Sequence, residues 1–254
     1  MRILTLARDL TRRKARDRSG LFVAEGIRVV EELLASALHV TGALTCDLID
    51  RTPRGAALVA QLHGRGIDVV RVSEREFVSA SDTESPQGVL AIAERPKDAL
   101  DALVLSETAR LLVLDGVQDP GNVGTLLRTA AALGVTATLA LPGTVDPWNA
   151  KVVRSAVGIQ FKHRTIDCTE EALLAFLARH HVPLWGAAAA GRPVDGLVPP
   201  PQLALAMGNE GAGLKASVRD ACDELVALPM MPGVESLNVS VAAGIALFAL
   251  RPRS

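Results

Sequence analysis

The chain has 254 residues, more than a typical single domain, so two domains are the first expectation. Its 49% hydrophobic and 22% charged residues exclude a disordered chain, and 3% aromatics with no Tyr argue against aromatic stacking as the main device for holding single-stranded nucleic acid. A net charge of −1 gives no global attraction to nucleic acid, so any such surface has to be local.

Residues 2–18 carry Arg2, Arg8, Arg12, Arg13, Lys14, Arg16 and Arg18 against only Asp9 and Asp17. The stretch reads equally as a solvated basic helix or as a phosphate-contacting patch. Residues 20–34 begin as a short apolar strand and become a helix with Val29, Val30, Leu33 and Leu34 inward. Residues 40–44 form a second strand, 56–62 a helix stopped by Gly64-Arg65-Gly66, 67–72 a buried strand, and 89–93 another strand after the turn Ser85-Pro86-Gln87-Gly88. Residues 1–95 thus alternate strand and helix and suffice for a small α/β domain. Arg95-Pro96-Lys97-Asp98 opens a linker over 96–107, and a second domain spans 108–254.

The second domain is organised around 111–133. An apolar strand stops at Asp115-Gly116, a polar turn with Pro120-Gly121 follows, and an amphipathic helix begins with Asn122 as a plausible N-cap. Strands follow at 136–141, 183–189, 202–207 and 225–228. Helices follow from Asp146-Pro147-Trp148 to Ala156, over 169–180, and over 236–250, the last nearly all apolar and expected to be buried. The segment 187–196 reads as simple loop. Three polar, glycine-containing loops, 116–124, 208–213 and 229–238, each follow an apolar strand and can converge at one edge of a parallel sheet.

Loop 208–213 has the spacing GxxGxG and lacks a following Lys-Ser or Lys-Thr, so it is neither a dinucleotide fingerprint nor a P-loop. Ser236 is explained by helix capping, whereas Asn238 needs partners if its helix is buried. Arg128 is either a surface arginine, with Glu210 as a conceivable partner, or a functional cation. No metal site is expected: His180-His181 lacks further ligands at metal spacing. There is no GxSxG elbow. Cys46, Cys168 and Cys222 are far apart and odd in number, which fits reduced thiols in a cytoplasmic protein. No signal-like core opens the chain, and no apolar run is long enough for a membrane span.

Asp119-Pro120-x-Asn122-x-Gly124-x-x-x-Arg128-Thr129-Ala130 resembles motif 1 of the SpoU-type (TrmH-type) RNA ribose 2′-O-methyltransferases of the SPOUT superfamily. Ala206-Met207-Gly208-Asn209-Glu210-Gly211-x-Gly213-Leu214 is similar to motif 2. Leu228-Pro229-Met230 with Glu235-Ser236-Leu237-Asn238-Val239-Ser240-Val241-Ala242 is similar to motif 3. Leu21-Phe22-Val23-Ala24-Glu25-Gly26 and Ser85-Pro86-Gln87-Gly88-Val89 resemble, more weakly, the ribosomal-protein-like α/β domain often attached to these enzymes.

The resemblance implies an α/β fold with a C-terminal trefoil knot, a homodimer with the site at its interface, and S-adenosylmethionine as cofactor. It implies cofactor contacts at Gly208, Leu228 and Leu237, joined by Asn209, Gly213 and Met230, and a reaction centre of Asn122, Arg128, Glu210, Ser236 and Asn238. Asn122 would orient Arg128. Arg8, Arg12, Arg13, Lys14, Arg16 and Arg18 would contact RNA. The implied reaction is methyl transfer to a ribose 2′-hydroxyl, of ribosomal RNA by analogy with the N-terminal domain, with transfer RNA open. Competing readings are a catalytically silent RNA-binding or ribosome-assembly protein of the same fold, a base methyltransferase on a related fold, and a nicotinamide-dependent oxidoreductase with Asp146 as its ribose-binding acid.

Overall fold

The computed structural model describes residues 2–234 and 236–252. The chain divides into two compact units: Met1–Lys97 with Asp146–Lys162, and Asp98–Val145 with His163–Ser254.

The first unit opens with helices α1 (Arg2–Asp9) and α2 (Arg13–Ser19), followed by β1 (Leu21–Glu25), α3 (Ile27–Leu34), β2 (Val40–Thr45), α4 (Pro53–Gly64), β3 (Val69–Arg71), α5 (Glu74–Val78) and β4 (Val89–Glu94). The strands form one sheet in the order β1-β4-β2-β3, antiparallel except for β2 and β3. Val29, Val30, Leu33 and Leu34 are buried, as the helical spacing of 20–34 requires. Local chemistry sets the helix starts. Thr52 accepts a hydrogen bond from the Gly55 amide ahead of Pro53, and Ser73 and Glu76 form a reciprocal capping box. The expected buried strand over 67–72 is instead the three-residue edge strand β3, with Val69 and Val70 only half-buried. It pairs on one side alone, so its apolar run is not covered on both.

The second unit holds β5 (Ala109–Asp115), α6 (Pro120–Ala132) and β6 (Ala137–Ala140). The chain then enters the segment that belongs to the first unit, with α7 (Ala150–Ser155), and returns in β7 (Thr165–Asp167), α8 (Glu170–His180), β8 (Leu184–Pro193), β9 (Gln202–Gly208), α9 (Ala216–Asp220), β10 (Glu224–Ala227) and α10 (Val239–Ala249). The six strands form an all-parallel sheet in the order β10-β8-β9-β5-β6-β7. Parallel strands put all their carboxyl ends on one edge, so the loops after β5, β9 and β10 leave from the same side. The stretch 187–196 is not loop: β8 runs to Pro193 and ends in a short 3-10 turn, Val194–Gly196. The expected strand stops at Ala189, and its continuation to Pro193 gives no signal because alanine and glycine have low β-propensity. Among the described residues no helix is long and apolar enough to cross a membrane.

Within the first unit, Trp148 and Phe161 pack tilted against Phe22 with ring centroids 4.7 and 5.5 Å from it. In the same unit Arg16 departs from its basic neighbours. It is 2% exposed, and its Nε and Nη2 donate to Asp146 Oδ2 at 2.7 and 2.6 Å. Nη1 donates to the carbonyls of Leu10 and Thr11, and Asp146 Oδ1 accepts from the Trp148 amide. Arg16 is therefore withdrawn from the phosphate-contacting set, and Asp146 is not free to bind a ribose. Asp146→Ala leaves the guanidinium buried without its counter-charge, and is expected to cost about 3–5 kcal/mol in urea unfolding.

In the second unit His163 is buried, and its Nε2 lies 2.8 Å from Thr138 Oγ1. Burial pushes the imidazole pKa down to about 4. The folded state then favours neutral His163, and the unfolded chain takes up a proton first as pH falls. This contribution is fully present above about pH 6.5 and is lost progressively down to about pH 4, amounting to about 3 kcal/mol over that window. His163→Gln is expected to flatten the acid limb of the stability curve by that amount in denaturant titrations from pH 7 to 4.

Candidate active site

Three loops meet at the carboxyl edge of the parallel sheet, and one carboxylate ties the first two together. Glu210 Oε1 accepts from the Asp119 amide and from Asn122 Nδ2, both at 3.1 Å, and Oε2 accepts from the Gln118 amide at 3.3 Å and Asn209 Nδ2 at 3.4 Å. Burial alone would raise the Glu210 carboxyl. The donors Asn122, Glu210 N, Asp119 N and Gln118 N outweigh it and hold the group below the usual carboxylate range.

The third loop joins through Asn238, whose Nδ2 donates to Asn122 Oδ1 at 2.9 Å. Asn238 Oδ1 accepts from Ser240 N and Ser240 Oγ at 2.9 and 2.6 Å, and from Val241 N at 3.4 Å. Asn238, not Ser236, is thus the N-cap of α10. Its amide is satisfied at both ends, which answers the demand for partners. Likewise Asp119, not Asn122, caps α6, accepting from the Asn122 amide at 2.7 Å. This leaves the Asn122 side chain free to join Glu210 to Asn238.

Loop 208–213 is closed by backbone hydrogen bonds in both directions between Asn209 and Gly213 (2.9 and 3.0 Å). Asn209 Oδ1 accepts from the amides of Gly211 and Ala212, and Asn209 Nδ2 donates to Gly116 O at 2.9 Å. A Cβ on Gly208 would lie 2.2 Å from the Gly213 carbonyl carbon, so only glycine lets the loop fold back this closely.

The loops after β9 and β10, with the end of β8 and the start of α10, line a cavity of about 350 Å³, within the range of small-molecule sites. Gly208, Asn209, Gly213, Leu228, Met230 and Leu237, the six residues expected to face a cofactor, all line it, as do Glu210, Ser236 and Asn238. Residues that sequence reasoning missed include Ala187–Ala189 within β8, Val194 just after it, and Ala242 and Ala246 of α10. The signal of the alanines was small size: methyl side chains leave room that larger ones would fill.

Asn122 and Arg128 do not line the cavity. Asn122 reaches its rim through Asn238. Arg128 is exposed on α6 and has no hydrogen-bond or ion-pair partner among the described residues. Glu210 and Asn122 are hydrogen-bonded to each other, and among the described residues there is neither an Arg128–Glu210 ion pair nor an Asn122–Arg128 hydrogen bond. Glu235 of the third motif lies outside the described residues. No cluster of metal-ligating side chains occurs among the described residues.

The basic N-terminal residues lie in the first unit. Arg8 Nε donates to Ser79 Oγ at 2.8 Å, Arg12 pairs with Asp9, and Arg13 lies 3.5 Å from Asp17. Lys14 and Arg18 are exposed and without partners among the described residues.

Residues 109–248 match the SpoU rRNA Methylase family, and residues 4–91 match the MRM3-like substrate binding domain. The chain is similar to the 23S rRNA (guanosine(2553)-2′-O)-methyltransferase RlmP of Bacillus subtilis (strain 168), 34% identical over 96% of this chain and 94% of the relative. It is also similar to the 23S rRNA (guanosine-2′-O-)-methyltransferase RlmB of Xanthomonas campestris, 37% identical over 80% of this chain and 85% of the relative. Among solved structures, that of the AdoMet-bound rRNA methyltransferase from Sinorhizobium meliloti superposes with a TM-score of 0.84 at 28% identity, over 97% of this chain and 93% of that one. The chain belongs to the SpoU rRNA methylase family.

Proposed function

We propose that this protein transfers the methyl group of S-adenosylmethionine to a ribose 2′-hydroxyl of ribosomal RNA, with a guanosine of 23S rRNA as the first substrate to try. The observation that carries the reading is the cavity between the loops after β9 and β10, lined by Gly208, Asn209, Gly213, Leu228, Met230 and Leu237, with loop 116–124 tied to its rim through Glu210 and Asn238. The cavity fits the cofactor chemically. Its walls offer apolar surface from Ala187, Val194 and Leu237 for a purine ring, and polar groups from Asn209, Glu210, Ser236 and Asn238 for an amino acid and a ribose. When bound, S-adenosylmethionine supplies an activated sulfonium methyl.

The protein's own residues then have to place the 2′-hydroxyl in line and assist its deprotonation. Arg128 is cast as the group that holds substrate phosphate and stabilises charge developing on the 2′-oxygen, because a guanidinium pKa above 12 leaves almost no free base. Glu210 acts by position: its oxygens already accept from Gln118, Asp119, Asn122 and Asn209. Asn122 and Asn238 carry that alignment to the start of α10, and Ser236 at the cavity wall would support the target ribose.

Residues 1–95 are read as the RNA-binding domain, 96–107 as the linker and 108–254 as the catalytic domain. Arg8, Arg12, Arg13, Lys14 and Arg18 make phosphate contacts that position RNA without reading sequence. Removing 1–95 is not a clean test, because it would uncover Trp148 and Phe161, which pack on Phe22. Transfer of labelled methyl to ribosomal and transfer RNA transcripts, with digestion to separate ribose from base label, tests the reading. Ribose label on ribosomal RNA supports it. Base label, or RNA binding with no transfer, overturns it in favour of the competing methyltransferase or the silent binder.

The protein is also read as a homodimer. Val241, Ile245 and Phe248 form an exposed apolar stripe on α10, 50, 47 and 56% accessible. The sequence reading expected this helix to be buried, whereas one face is open. Ile245→Glu is expected to halve the mass measured by light scattering and to abolish transfer. A wild-type protein that is monomeric at micromolar concentration would rule the dimer out.

A further inference from the structure

Asp115 is the last residue of β5, and its side chain is fully buried. Its Oδ2 accepts from the backbone amide of Lys215 at 2.7 Å, and its Oδ1 faces the Lys215 ammonium at 3.0 Å. The same ammonium donates to Pro142 O at 2.6 Å, two residues beyond β6. Lys215 follows Leu214 at the exit of loop 208–213. One lysine thus joins the end of β5, the chain after β6 and the exit of the cofactor loop. The loop entrance is held separately, by Asn209 Nδ2 on Gly116 O. Neither Asp115 nor Lys215 lines the cavity.

A carboxylate at zero exposure costs desolvation that a strand end alone does not require, and a half-exposed lysine is a weak reason to accept it. Fixing the loop exit is a sufficient reason. Gly208, Asn209, Glu210 and Gly213 face the cavity, and Glu210 sets Asn122. A shift of the exit would move cavity wall and catalytic network together.

We propose that Asp115 and Lys215 are positioning residues that lock loop 208–213 in its cofactor-binding shape and so set S-adenosylmethionine affinity without touching the cofactor. The inference rests on the reading of the cavity as the S-adenosylmethionine site.

The test is calorimetric titration of the full-length protein with S-adenosylmethionine, well below the Tm of each variant. Lys215→Met is expected to raise Kd about tenfold or more, and Lys215→Arg, which keeps charge and reach, to stay within about threefold of wild type. Lys215→Met leaves a buried carboxylate facing no cation, so its Tm falls as well. The double variant Asp115→Asn/Lys215→Met removes that charge. Its Tm should return toward wild type while its Kd stays as weak as that of Lys215→Met. If the single variant does not fold, the double variant decides. Wild-type affinity in Lys215→Met, or recovery of affinity together with Tm in the double variant, would show the pair to be structural only and overturn the inference. A wild type that binds no S-adenosylmethionine would overturn the functional reading and the inference with it.

Discussion

Arg128→Ala should lower turnover at saturating RNA and S-adenosylmethionine by about 10²–10³-fold, the usual loss when one donor to a developing oxyanion is removed. Cofactor affinity should stay within about twofold, because Arg128 does not line the cavity. The guanidinium is exposed and has no partner among the described residues, so its removal breaks nothing in the fold. Stability should move by less than about 0.5 kcal/mol, as for other surface substitutions. A loss of kcat with unchanged cofactor Kd and unchanged Tm is therefore the expected signature. Arg128→Lys separates two versions of the role. Lysine keeps a point charge but loses the planar fork that grips phosphate through two parallel hydrogen bonds. Turnover tenfold or more below wild type would assign the work to the fork. Near-normal turnover in the lysine variant would rule out a specific guanidinium role and leave simple charge.

The sequence reading reached the glycine loops and five of the six described strands of the second unit, missing the three-residue β7, because buried parallel strands are short, apolar and punctuated by Gly, Pro, Asn and Asp. It located Gly208, Leu228 and Leu237 from motif resemblance, and all three line the cavity. It misassigned both helix caps in the site. Asn122 and Ser236 are residue types that cap, but Asp119 and Asn238 stand nearby with equal propensity, and only the backbone path decides between them. Arg16 shows a different limit. In sequence it is one cation among seven, and nothing local marks it as the one that turns inward to Asp146, 130 residues away. The segment 146–162 is the same problem at larger scale. Its helix was legible, but its place in the core of the first unit depends on Trp148, Val153 and Phe161 meeting residues such as Phe22. The wall at Ala187–Ala189 was missed as part of the site because three alanines carry neither periodicity nor chemistry.

Gly208→Ala should be the most damaging change to the cofactor site. The new Cβ would lie 2.2 Å from the Gly213 carbonyl carbon, 2.3 Å from the Leu214 nitrogen and 2.5 Å from the Gly213 oxygen. These are backbone atoms, fixed by the Asn209–Gly213 bridge and by Asn209 Oδ1 on the amides of Gly211 and Ala212, so no side chain can rotate to relieve the clash. The loop must open by about 1 Å to restore ordinary contact. That displacement costs about 1–3 kcal/mol of stability as overpacking. It also moves the cavity wall and pulls Glu210 from Gln118, Asp119 and Asn122, and a misplacement of this size lowers function on the order of a hundredfold. Gly213→Ala is the matched control. It stands in the same loop at φ +70°, but its Cβ would meet nothing within 4 Å. Its cost is the left-handed backbone alone, about 1–2 kcal/mol, with the cavity outline kept. S-adenosylmethionine titration of the two variants should therefore show a large loss for Gly208→Ala and a small one for Gly213→Ala. Equal losses would mean that backbone strain, rather than close approach of the two loop ends, governs the site.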